Sequence, residues 1–185
     1  ARAEGVERCG RRRAEARAAV GDAGLCERFT ELIDPLRFPV HTAGRGGRYT
    51  YHGPGQRVGY VMLDLAARGR DVRRFVGALE HWLIGALALL GVEAFVVPDR
   101  IGVWVRTEAG EAKIGAIGVR LKRWISFHGF ALNVNPDLDH FSGIVPCGLA
   151  DYPVTSLSAL GIAADLGAVD AALAQTLPDF LAQLG

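Results

Sequence analysis

The sequence is short of the residues that hold several classes of protein together. Of its 185 residues three are cysteines (Cys9, Cys26 and Cys147), one is methionine and two, Lys113 and Lys122, are lysines. An odd number of thiols, with no apolar signal segment near the start, argues against a disulfide framework and favours a reducing, cytoplasmic compartment. There is no CxxC and no HExxH, so no metal site is expected. No apolar run approaches the roughly 18 residues a membrane span needs, and no membrane partner is expected. Charge of one sign is missing too: 21 Lys and Arg stand against 20 Asp and Glu. Such a balance leaves no electrostatic footprint for nucleic acid.

What remains is a globular composition, half hydrophobic and 22% charged, at a length that fits one domain with a core of its own. Residues 1–31 form an atypical Arg- and Ala-rich N-terminal segment, read as a solvated helix or frayed tail in preference to a functional basic arm. From residue 32 to 185 the texture is that of a single mixed domain. Val58 to Leu65 reads as a buried strand, and Asp71 starts a helix whose apolar positions keep the 3.6-residue period to Leu90, with Gly91 placed to end it. Ala94 to Val97 and Ile101 to Arg106 read as a strand pair across a Pro98-Asp99-Arg100 turn. Lys113 to Leu121 and Trp124 to Val134 read as two more strands, joined at Lys122-Arg123. A short helix is expected at Thr155 to Leu160, and a terminal one at Ala168 to Leu184 that Pro178 interrupts or kinks. The expected class is α+β, a sheet with helices packed on it.

Three segments could carry chemistry. RGGRYTYHGPGQ, from Arg45 to Gln56, interleaves glycines with Arg45, Tyr51 and His52. Its exposed backbone N–H groups could cradle an anion, a carbonyl oxygen or a phosphopantetheine-type arm, or its glycines could serve turn geometry alone. It has neither the Lys-Ser/Thr ending of a nucleotide P-loop nor a GxGxxG turn. Cys147 sits between Pro146 and Gly148, where a thiol is exposed on a turn, although a lone cysteine also serves as a small buried hydrophobe. Lys113 heads the strand KIGAIGVRL in a chain that otherwise uses arginine. That position suits either a titratable amine or a solubilising edge residue. His128 could be a core histidine, and Gly129 beside it suggests close approach of a ligand or another backbone. His81 and His140 carry no signal beyond packing or a loop.

Together RGGRYTYHGPGQ, KIGAIGVR, HGFALNV and FSGIVPCG, in this order, resemble the lipoyl(octanoyl) transferases from about Leu32 to the C-terminus. The resemblance implies the catalytic-domain fold of biotin- and lipoate-protein ligases over 32–185, no cofactor, and transfer of an octanoyl group from acyl carrier protein. The implied acceptors are lysines of lipoyl domains, those of 2-oxoacid dehydrogenase complexes and the glycine cleavage H protein. Cys147 takes the place of the family's acyl-accepting thiol and Lys113 that of its partner amine. Arg45, Gly46, Gly47, Arg48, Tyr49, Thr50, Tyr51 and His52 fall on the substrate-binding segment. Ala116, Ile117 and Gly118, with Gly129, Phe130 and Ala131, fall on the other two stretches, which line the acyl site. An ammonium about 4 Å from the thiol at an effective dielectric near 20 is worth roughly 4 kcal/mol, ample to hold it as thiolate. Two other readings compete: an ATP-dependent lipoate or octanoate ligase on the same fold, and a non-catalytic protein that binds an acyl carrier or lipoyl domain.

Overall fold

The computed structural model describes residues 33–34, 36–41, 49–145 and 152–185 in full, and the backbone alone of 17–20 and 42. In chain order the elements are β1 (Arg17–Val20), β2 (Val40–Thr42), β3 (Thr50–His52), β4 (Gln56–Tyr60), α1 (Val72–Leu89), β5 (Ala94–Val97), β6 (Arg100–Thr107), β7 (Gly110–Lys122), β8 (Ile125–Asn133) and α2 (Leu166–Leu184). A 3₁₀ turn at Leu138–Gly143 follows β8. The five long strands form an antiparallel sheet ordered β4-β8-β7-β6-β5, while β2-β1-β3 make a small second sheet. The mixed α+β class expected from the sequence is what the chain builds. Residues 17–20 depart from expectation: they pair with β2 and β3 as a strand, not as a solvated helix or tail.

Helix α1 forms where its periodicity places it. Asp71 caps it by accepting a hydrogen bond from Arg74 N at 3.0 Å. One face, with Phe75, Leu79, Trp82, Leu83, Ala86 and Leu87, is buried on the sheet. Gly91, at φ +79°, turns the chain out of the helix. Trp82 ties three elements together. Its ring stacks on Phe180 of α2 at 4.7 Å and meets Phe130 of β8 edge-on, and its Nε1 donates to Leu173 O at 3.0 Å. That packing explains why Pro178 does not break α2. Phe180 and Leu184, beyond the proline, are both buried, and their burial offsets the lost backbone hydrogen bond.

Two other expectations shift for local reasons. The strand expected over Val58 to Leu65 ends its ladder at Tyr60, because His128 on the partner strand takes φ +65°. Val61 N still donates to His128 O at 2.7 Å and Leu63 N to Ser126 Oγ at 2.9 Å, so Val61, Leu63 and Leu65 continue as buried extended chain. The helix expected at Thr155 to Leu160 is a tight turn, closed by Ile162 N donating to Leu157 O and by Gly161 at φ +76°. The β7–β8 turn falls one residue later than expected, at Arg123 and Trp124, both at positive φ as a two-residue hairpin turn demands.

Candidate functional site

The large sheet has two faces with different jobs. On one, Ile117 and Phe130 point to the helices and join the main core. On the other, the residues between them are small: Ala116 and Gly118 on β7 lie directly across from Ala131 and Gly129 on β8. Thr50 and His52 of β3 roof this floor and Val58 walls it, leaving a narrow, half-open slot. The period-two alternation of a strand does the sorting. A small residue faces the slot and a large one faces the core. Gly129 is required on geometric grounds: a Cβ there would overlap the Gly59 carbonyl oxygen of β4 and stand 3.2 Å from Val61 N. The close approach expected at this glycine is thus an approach of backbone to backbone.

Beside the slot, and sharing Thr50 and Ala116 with it, lies a small chamber around Lys113, bounded also by Gln56, Gly115, Asn133 and Val154. Lys113 is 6% exposed, so it is not a solubilising edge residue. Its ammonium lies 5.3 Å from the ring centre of the fully buried Trp104, its cross-strand neighbour. Among the described residues no carboxylate pairs with it. Gly102 gives the lysine stem its room, because a Cβ there would overlap Lys113 Cε and come within 2.6 Å of Gly115 O. Nothing in the sequence singled out Gly102. Asn133 escaped notice too: its amide donates to Thr155 O at 2.9 Å and its carbonyl accepts from Gln56 Nε2 at 2.8 Å, tying β4, β8 and the segment beside Lys113 together.

Arg45, Gly46, Gly47, Arg48 and Cys147 lie outside the described residues. Both flanks of the segment 146–151 are described, and both belong to the Lys113 chamber. On the far side Lys113 N donates to Pro153 O and Thr155 N donates to Lys113 O, each at 2.9 Å, so the chain after residue 151 pairs in parallel with β7. On the near side, Phe141 lines the chamber and Ile144 packs with Tyr49, Tyr51 and Phe141 in a second small core. Tyr152 is held as well, by an Arg100 guanidinium stacked 4.1 Å from its ring and 4.6 Å from that of Trp104; Arg100 also pairs with Glu111.

The glycine-rich segment splits at β3. Thr50 and His52 face the slot, whereas Tyr49 and Tyr51 turn into the second core. Tyr51 is 1% exposed, and its hydroxyl is hydrogen-bonded to His140 Nδ1 at 2.7 Å. His140 Nε2 is 3.2 Å from Asp137 Oδ2, and the imidazole packs edge-on against Phe38. Burial, then the charge of Asp137, pushes the Tyr51 phenol above its usual range against the opposing pull of Arg37, so it remains neutral. His140, which the sequence left as a loop histidine, therefore joins β3 to the turn leading towards residue 147. His140→Ala leaves a buried hydroxyl without this partner, which costs about 1–3 kcal/mol. Thermal unfolding should show a drop of roughly 2–4 °C per kcal/mol in a domain of this size. Adding Tyr51→Phe should restore part of the loss, because the orphaned hydroxyl is then gone.

Among the described residues no three His, Cys, Asp or Glu side chains gather as a metal site, and no helix is long and apolar enough to cross a membrane. The fold is that of known proteins. A chain from the structure of a bipartite lipoate protein ligase and its E2 lipoyl domain from Thermoplasma acidophilum superposes with a TM-score of 0.70 at 16% identity, over 91% of this chain and 68% of that one. Biotin protein ligase from Aquifex aeolicus in complex with biotin and ATP gives 0.58 at 17% identity, over 77% and 56%. In sequence the chain is 68% identical over 163 residues to an octanoyltransferase of Sphingopyxis alaskensis, spanning 88% of this chain and 75% of that protein. It is 60% identical over 162 residues to an octanoyltransferase of Zymomonas mobilis, spanning 88% and 75%. Residues 27–178 match the lipoyl protein ligase A/B catalytic domain, and with the slot, the fold and these relatives in agreement the chain belongs to that family.

Proposed function

We propose that the protein is an octanoyltransferase of lipoate biosynthesis, which takes an octanoyl group from acyl carrier protein onto Cys147 and passes it to a lysine of a lipoyl domain. The observation that carries the reading is Lys113. It is a buried amine beside a slot floored by small residues, with the chain on both sides of 146–151 built into the walls of its chamber. The identity to octanoyltransferases supports the reaction.

The chemistry runs in two halves. The Cys147 thiolate attacks the carbonyl carbon of the incoming thioester, forming a new C–S bond. The old C–S bond breaks, and the Lys113 ammonium gives its proton to the departing carrier thiolate. Lys113, now neutral, takes a proton from the lysine amine that attacks the acyl-enzyme. A C–N bond forms, and the Cys147 thiolate leaves to begin again. No cofactor enters this sequence, because the thioester already carries the activation. A buried setting strengthens the thiolate–ammonium attraction over its value in water.

The decisive test is the intact mass of the protein after mixing with octanoyl-acyl carrier protein in the absence of ATP. An added octanoyl mass that hydroxylamine removes, absent from Cys147→Ser, is expected. If octanoylation of a lipoyl domain instead requires ATP and free octanoate and proceeds in Cys147→Ser, the protein is a ligase and the thioester route is wrong.

A further inference from the structure

The strand that backs Lys113 is irregular at one place. On one side of β6 the register with β5 slips between Phe95 and Val97, so that Ile101, Gly102 and Val103 stand opposite the single residue Val96. On the other side Val103 pairs with Gly115 and Trp104 with Lys113, which leaves Ile114 as an extra residue of β7. Two bulges thus meet at Gly102, which is buried, takes φ +129° and has no partner in either register among the described strands. A buried backbone N–H at such a point needs an acceptor from outside the sheet. Glu80 of α1 supplies it, its Oε1 accepting from Gly102 N at 2.9 Å.

Gly102 is also the residue against which the Lys113 amine rests. A Cβ there would overlap Lys113 Cε and stand 3.1 Å from Nζ, so the glycine backbone abuts the end of the side chain. The Trp104 ring bounds the amine from another direction, its centre 5.3 Å from Nζ. The backbone of Lys113 is fixed separately, by its two hydrogen bonds to Pro153 and Thr155. The head of the side chain therefore depends on the shape of the bulge, and the bulge is held by a carboxylate from the helix. That carboxylate stands on firm ground: Leu79 and Leu83, on either side of Glu80 in α1, are fully buried.

We infer that Glu80 is a positioning residue of the acyl-transfer site, acting on the Lys113 amine through Gly102. The inference rests on the octanoyl transfer proposed above. An amine that gives its proton to one group and takes one from another tolerates little displacement, and a shift of about 1 Å caused by a change away from the chemistry costs up to about 10²-fold in rate. The role calls for an oxygen acceptor at the reach of a glutamate, and not for a negative charge. Among the described residues Glu80 forms no ion pair, with Lys113 or with any other cation. Glutamine keeps an acceptor at the same reach; aspartate keeps the charge and withdraws the acceptor by one methylene.

The test measures octanoyl transfer from octanoyl-acyl carrier protein to a lipoyl domain in the wild type, Glu80→Gln, Glu80→Asp and Glu80→Ala. Glu80→Gln should stay within about threefold of the wild type, while Glu80→Asp and Glu80→Ala should lose about 10- to 100-fold in kcat with KM for both substrates within about twofold. A second readout needs no reaction. The chain has two lysines, so isotope labelling of lysine Cε gives an NMR spectrum of two side-chain signals, of which that of Lys113 is displaced by the Trp104 ring. This signal should hold its place in Glu80→Gln and move or broaden in Glu80→Asp and Glu80→Ala. An unchanged kcat in Glu80→Asp, an equal loss in Glu80→Gln, a loss carried by KM, or a loss in kcat with the Lys113 signal unmoved overturns the assignment. If Glu80→Ala does not fold, Glu80→Asp against Glu80→Gln decides. A wild type that transfers no octanoyl group removes the proposed reaction, and the Lys113 signal then judges the placement alone; an unmoved signal in Glu80→Asp overturns it there too.

Discussion

Lys113→Met should abolish turnover while leaving the fold intact or firmer. The side chain sits almost wholly out of water, packed against Trp104 and threaded past Gly102. Methionine keeps its length and apolar stem and removes a buried charge that no described carboxylate compensates, so unfolding should shift up or not at all. In the proposed mechanism the reaction then loses two things together: the cation that favours the Cys147 thiolate, and the proton shuttle between carrier thiol and acceptor amine. A positioned general acid or base alone contributes about 10²–10⁴-fold. A fall of roughly 10³-fold or more in kcat is therefore expected, read by octanoyl transfer to a lipoyl domain. Lys113→Ala should fall as far in rate but also lose stability, through the cavity left beside Trp104. Full activity in Lys113→Met would remove the amine from the reaction.

The second large effect is on stability, and it comes from adding one methyl group. Gly129→Ala puts a Cβ on the Gly59 carbonyl oxygen, where both neighbours are backbone and neither strand can yield without the other. Overpacking of this kind costs about 1–3 kcal/mol and occasionally more. It would also part β4 from β8 along the slot floor, so acyl transfer should drop with the melting temperature. Gly77→Ala makes the identical change in the middle of α1, where a Cβ meets nothing within 4 Å. There the gain in helix propensity should stabilise by about 0.5–1 kcal/mol. Opposite shifts in thermal unfolding of the two variants are expected; equal shifts would show that the β4–β8 approach does not constrain the fold.

Much of this was legible because it is local. The period of α1, the Asp71 cap and the strands β5 to β8 follow from side-chain alternation and turn residues within a few positions of each other. The resemblance, and no local pattern, supplied Ala116 and Gly118 with Gly129 and Ala131, which lie across from one another on the slot floor. The misses have a common cause. Whether Pro178 breaks α2 depends on Trp82 in α1, onto which Phe180 stacks at 4.7 Å. The end of the β4 ladder depends on the φ of His128 on another strand. The role of His140 rests on its hydrogen bond with Tyr51, 89 residues away in the chain.

The sequence by itself determined the class of fold, helix α1, the strands β5 to β8, the terminal helix α2 and the family, since periodicity, caps and the order of four motifs are properties of a line of residues. It also nominated Lys113, but as one of two equal readings, a titratable amine or an edge solubiliser. Tertiary structure removed the second, because burial is a property of what lies across the sheet: Trp104 and Gly102 on β6 and the returning chain at Pro153 to Thr155 take Lys113 out of water. The same holds for Tyr49 and Tyr51, which share a motif with Thr50 and His52 and are sent to a different core by strand alternation once β3 lies between two layers. Close approach, burial and pairing are set by distances through space, and the chain specifies those only when it is folded.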